Sequence, residues 1–114
     1  MITAKPAHIA TQEAGAIAAI GHHILPADAV NSKLTAAGIE RWVKETDIPP
    51  HTVLLRLVYI SNSSELGTIY SKGGLTDIAA VCKRHGLLLF MDGARLGTAL
   101  CSQRFDVTLK DVFD

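Results

Sequence analysis

"LTDIAAVCKRHGLLLFMDGAR", Leu75 to Arg95, contains a change of period that decides the fold. In its first half Leu75, Ile78, Ala79 and Cys82 recur at helical spacing. Lys83 and Arg84 follow in the last turn, where cations suit the negative end of a helix, and Gly86 stands where a helix stops. From Leu87 to Met91 the chain is apolar without a break, as in a strand covered on both faces. Upstream, "VLLRLVYISN", Val53 to Asn62, reads the same way, and polar "SNSSELGT" is the loop that joins it to the helix. Strand, helix, strand is a βαβ unit, whose strands are parallel and whose crossover is right-handed.

Working outward, "TAAGIERWVKET" is an amphipathic helix with Ile39, Trp42 and Val43 on its inner face, ended by "IPPHT", where Pro49 and Pro50 cannot continue it. Asn31 to Lys33 is a polar turn and "HHIL" a short strand. "HIATQEAGAIAAIG", His8 to Gly21, is expected to form one helix with Ile9, Ala16, Ile17 and Ile20 on a shared face. Met1 to Ala4 makes a first strand, and Val112 to Asp114 the beginning of a last one. The pattern predicts an α/β fold: a three-layer arrangement of about five mostly parallel strands flanked by helices, without internal repeat or domain boundary.

Composition narrows the function classes. With 48% hydrophobic and 19% charged residues, the chain belongs with ordinary globular proteins. Eleven basic residues balance eleven acidic ones, so nothing draws it to nucleic acid or an anionic membrane. Its longest apolar runs fall well short of the ~20 residues of a membrane span. Two distant cysteines, Cys82 and Cys101, without a CxxC pair fit reduced thiols, so a cytoplasmic location is expected. His22 and His23, as neighbours on a strand, would face opposite ways and are expected to be structural; no metal site is expected. The six lysines read as solvated surface residues.

Asp92 is the unusual residue, a carboxylate at the end of a buried strand. Ligands of open parallel sheets bind at the carboxyl ends of strands, where Asn62 also stands. Capping of the next helix, starting near Ala94 or Arg95, is one role for it. An aspartyl-phosphate phosphatase wants a second Asp two residues on, where Ala94 stands, and a receiver-type phosphoacceptor needs further acids for Mg²⁺. A third role is pairing with the ring nitrogen of a cofactor.

"FMDGARLGTAL" resembles the strand-end Asp-Gly-Ala-Arg-Leu motif of the threonine aldolase and β-eliminating lyase family, pyridoxal 5′-phosphate enzymes of fold type I. "AHIATQEAGAI", "GHHI" and "LVYISNSSELGTIYS" match further segments of that family in the same order. The resemblance implies that residues 1–114 are the middle of the large, cofactor-binding domain, with no second domain. It also implies that Asp92 bonds the cofactor's pyridine nitrogen, that Arg95 grips the substrate carboxylate, and that His8 stacks on the ring and assists proton transfer. The implied reaction is retro-aldol cleavage of a β-hydroxy-α-amino acid such as threonine to glycine and an aldehyde. β-Elimination on the same cofactor and a noncatalytic α/β module are the alternatives, and a homo-oligomer is expected. Where many members carry a loop histidine this chain has Glu65, either a substitute base or, as expected here, a solvated loop residue. None of the lysines matches the family's Schiff-base lysine, and the phosphate-holding segment and C-terminal small domain are also unmatched, so these 114 residues alone are expected to be inactive.

Overall fold

The computed structural model describes residues 1–46, 48 and 50–113. Four parallel strands, β1 (Ile2–Ala4), β2 (Leu25–Ala27), β3 (Leu57–Ser61) and β4 (Leu88–Asp92), lie in the order β2-β1-β3-β4. Six helices accompany them among the described residues: α1 (His8–Thr11), α2 (Ala16–Ala19), α3 (Ala36–Thr46), α4 (Lys72–Arg84), α5 (Leu96–Leu100) and α6 (Leu109–Phe113). This is the expected α/β class, with four strands in the sheet where five were expected.

The core follows from strand period. Val58 and Ile60 of β3 point to one face with Ile2 of β1, and there they meet Ile39 of α3 and Ile78, Val81 and Cys82 of α4. Each of Ile2, Ile39, Ile60, Ile78 and Val58 is essentially buried, and side chains of that size contribute about 1.5–3 kcal/mol each on burial. Helix α4 is delimited as its sequence demands. The Ser71 hydroxyl accepts from the Gly74 amide at its start. At its end Gly86, with φ +63°, lets the Leu87 amide donate to the Cys82 carbonyl and the Gly86 amide to that of Lys83. Within it Val81, rather than the exposed Ala79, completes the buried stripe.

Several expectations are corrected. His8 to Gly21 is not one helix, because Ala14 (φ 49°) and Gly15 (φ 78°) take left-handed conformations that end α1 and restart the chain as α2. Ile20 consequently lies 69% exposed. The second strand begins at Leu25, beyond "HH", so exposed His22 and His23 are not strand neighbours. Val53 and Leu54 precede β3 and are exposed. Strand β4 is covered on one face only: Leu88 and Phe90, at 69% and 52% exposure, lie on the open one. Residues 109–113 are helical, since Thr108 and Asp111 cap each other: the Thr108 amide and hydroxyl donate to Asp111 Oδ2, and the Asp111 amide to Thr108 Oγ1. Asp114, the other end of that expected strand, lies outside the described residues. Lys33 is not purely solvated either; its ammonium donates to the Ile69 carbonyl and sits over the Tyr70 ring.

Candidate active site

Strand order places the site. The chain passes from β1 to β2 on one side, then crosses to β3 on the other, so connections leave the carboxyl ends of β1 and β3 in opposite directions and open a crevice between them. His8, the first residue of α1, follows β1 at this crevice, and Glu65 follows β3. Register adds the rest: Tyr59 pairs with Phe90 and Ser61 with Asp92. By alternation Tyr59, Ser61, Phe90 and Asp92 therefore share the face opposite the α3–α4 core.

Asp92 is held at both oxygens. The Tyr59 hydroxyl donates to Oδ2 at 2.7 Å and the Ala94 amide to Oδ1 at 2.9 Å. These two donors, Tyr59 first, hold the Asp92 carboxyl below its ordinary range against partial burial, with help from the charges of Arg95 and His8. Burial and the adjacent Asp92 carboxylate push the Tyr59 phenol up, so it stays a donor at all physiological pH values. The capping role and the strand-end position of Asp92 thus coexist. Helix α5 starts at Leu96, one or two residues later than expected.

Arg95 does not pair with Asp92. Its Nη2 donates to Glu65 Oε2 at 2.6 Å and its Nη1 to the Ser63 carbonyl at 3.3 Å. Glu65 also accepts from the His8 amide at 2.9 Å and the Ser61 hydroxyl at 3.4 Å, both on Oε1. Burial alone would raise its carboxyl, but the His8 amide and Arg95 outweigh that and hold it below the usual range. Glu65 is therefore no solvated loop residue. The His8 ring pairs through Nδ1 with Glu13.

The structure brings His8, Asp92 and Arg95 into one cluster and adds Glu65, Tyr59 and Glu13 to it. Tyr59 is not legible as a site residue because a tyrosine in an apolar strand reads as core, and its place opposite the Phe90–Asp92 stretch follows only from the strand register. A cavity of about 710 Å³ among the described residues runs along the open face beside Leu57, Leu88 and Phe90 and contains none of His8, Glu65, Asp92 or Arg95. The polar cluster at the carboxyl ends is nevertheless the candidate site, because a parallel sheet presents its ligand-binding loops there.

For an electron-withdrawing pyridinium cofactor the donor set fits. Asp92 is anionic, fixed in direction, and each oxygen, with one protein donor, keeps a lone pair for a ring N–H.

A crevice of this kind, with a fixed carboxylate after one strand and a guanidinium a turn later, defines an α/β protein of the fold type I class, and comparison with known proteins carries the definition further. The beta-eliminating lyase family model matches residues 1–114, and the chain belongs to that family. It is 39% identical over 102 residues to a low specificity L-threonine aldolase of a Pseudomonas species, and 38% identical to the one of Pseudomonas aeruginosa. Each match covers 87% of this chain and 29% of the relative. The solved structure of a Leishmania major threonine aldolase superposes with a TM-score of 0.94 at 49% identity, over 97% of this chain and 32% of that one. The chain thus spans less than a third of the relatives it matches.

Proposed function

We propose that the protein carrying this chain is a pyridoxal 5′-phosphate-dependent lyase of the low-specificity threonine aldolase type, cleaving a β-hydroxy-α-amino acid to glycine and an aldehyde. The observation that carries this reading is the joining of His8, Asp92 and Arg95 at the carboxyl ends of β1 and β4, in a member of a lyase family. When bound, the cofactor supplies a ring that accepts the electron pair released at the substrate α-carbon. The chain's residues supply the rest. Asp92 would accept the hydrogen bond of the ring nitrogen and keep its proton in place. Arg95 presents the substrate carboxylate with the N–H groups that Glu65 and Ser63 leave free. His8, at the start of α1, would lie against the ring and move a proton at its imidazole, with Nδ1 steadied by Glu13. The whole protein is a homo-oligomer in this proposal, and free Cys82 and Cys101 fit a cytoplasmic setting. Among the described residues no helix is long and apolar enough to cross a membrane.

The test is cleavage of L-threonine by the full-length protein with added cofactor, read as glycine and acetaldehyde. Wild type is expected to turn over, and Asp92→Asn to lose at least ~100-fold in kcat, or about 2.7 kcal/mol of transition-state stabilisation, with its circular dichroism unchanged. A wild-type protein that binds cofactor but releases no glycine, or an Asp92→Asn variant with full activity, refutes the assignment.

A further inference from the structure

Among the described residues, Glu65 is the one side chain that ties together the segments leaving three different strands. Its Oε1 receives the amide of His8, after β1; its Oε2 receives the guanidinium of Arg95, after β4; it belongs itself to the loop after β3. The Ser61 hydroxyl, at the last residue of β3, donates to the same Oε1. Glu65 is also the sheltered member of its ion pair, with a side chain 15% exposed against 43% for Arg95. We propose that Glu65 is a positioning residue that holds Arg95 and the His8 end of α1 across the β1/β3 crevice, and that it is not the proton acceptor of the cleavage reaction.

The partners that Glu65 holds are incompatible with service as a base. A general base must turn a free lone pair toward the substrate and hold a proton weakly enough to release it. Oε1 already receives two donors and Oε2 faces a cation at 2.6 Å, and a proton taken up at either would neutralise the carboxylate and loosen its hold on Arg95 and the start of α1. Arg95, for its part, has a long side chain that would otherwise sample many rotamers. Anchoring Nη2 on Glu65 and Nη1 on the Ser63 carbonyl fixes the plane of the guanidinium before any substrate arrives. Binding of a substrate carboxylate is then an addition to a built pair, so the effect of Glu65 falls on substrate affinity more than on the chemical step.

This inference rests on the proposed function for its kinetic part and on the structure alone for its second part. In the full-length holoenzyme, Glu65→Gln is expected to raise KM for threonine about tenfold, as for loss of one charge-assisted bond, while kcat stays within about threefold and the pH profile of kcat keeps its acid limb. A kcat loss of ~100-fold or more with little change in KM, together with loss of the acid limb, identifies Glu65 as the base and overturns the proposal. In the same protein without cofactor, hydrogen exchange of the His8 amide is expected to be slow in wild type and at least ~10-fold faster in Glu65→Ala, as for loss of about 1.4 kcal/mol of local protection. An unchanged His8 rate overturns the proposal whether or not the enzyme cleaves threonine. Wild type that shows no cleavage refutes only the functional reading, and the exchange comparison still decides the role of Glu65.

Discussion

Replacing Tyr59 with phenylalanine removes one oxygen and should reveal what fixes Asp92. The ring stays in place, stacked on Phe90 with centroids 5.3 Å apart, so the perturbation is confined to the 2.7 Å bond to Asp92 Oδ2. A hydrogen bond to a charged group contributes about 1.5–3 kcal/mol when dry. Solvent reaches Asp92 in this structure, and water would take up part of the vacancy, so about 1 kcal/mol is expected. The loss should depend on pH, with a fixed sign. The Asp92 carboxyl is depressed in the folded state, so its contribution is complete above the unfolded value near ~3.9 and disappears as pH falls through the folded one. Urea unfolding of wild type and Tyr59→Phe should therefore differ at pH 7 and converge in strong acid, and the difference should shrink in an Asp92→Asn background. A deficit that is equal at both pH values, or unaltered by Asp92→Asn, shows that Tyr59 acts through packing and refutes the reasoning.

Two further substitutions test the scaffold. Gly86→Ala places a Cβ at φ +63°, where nothing crowds it but the backbone itself resists, so stability should fall by about 1–2 kcal/mol in chemical denaturation. Ile39→Ala empties a fully buried position of α3 against α4 and should cost about 2–5 kcal/mol; a loss under 1 kcal/mol would mean that the two helices close over the gap.

Much of this architecture is legible in local pattern. The βαβ unit from β3 to β4 and the end of α4 at Gly86 follow from period and one glycine, and the match to the Asp-Gly-Ala-Arg-Leu motif picked out Asp92 and Arg95. The failures have physical causes. Alanine-rich His8 to Gly21 has the propensity of one helix, but two residues with positive φ divide it, and propensity is a weak prior against tertiary fit. Leu88 and Phe90 look like core because a strand's sequence does not state which of its faces another layer will cover. Thr108 and Asp111 carry a capping pattern that outweighs the β-branched look of the last residues. Glu65 is the least legible of all: its partners are the amide of His8 and the guanidinium of Arg95, far away in sequence, and only strand order brings them together.

That strand order also sets a timetable for synthesis. Strand β1 is central, flanked by β2 on one edge and β3 on the other, yet it is made before either neighbour, and β3 follows only after α3. At ~5–20 residues per second, the stretch between Ala4 and Leu57 takes several seconds to appear. For that interval the β3-facing edge of β1, whose residues are all buried in the finished fold, has open backbone groups and no partner. A topology that gathers a site from distant segments thus obliges its nascent chain to wait with its innermost strand half paired.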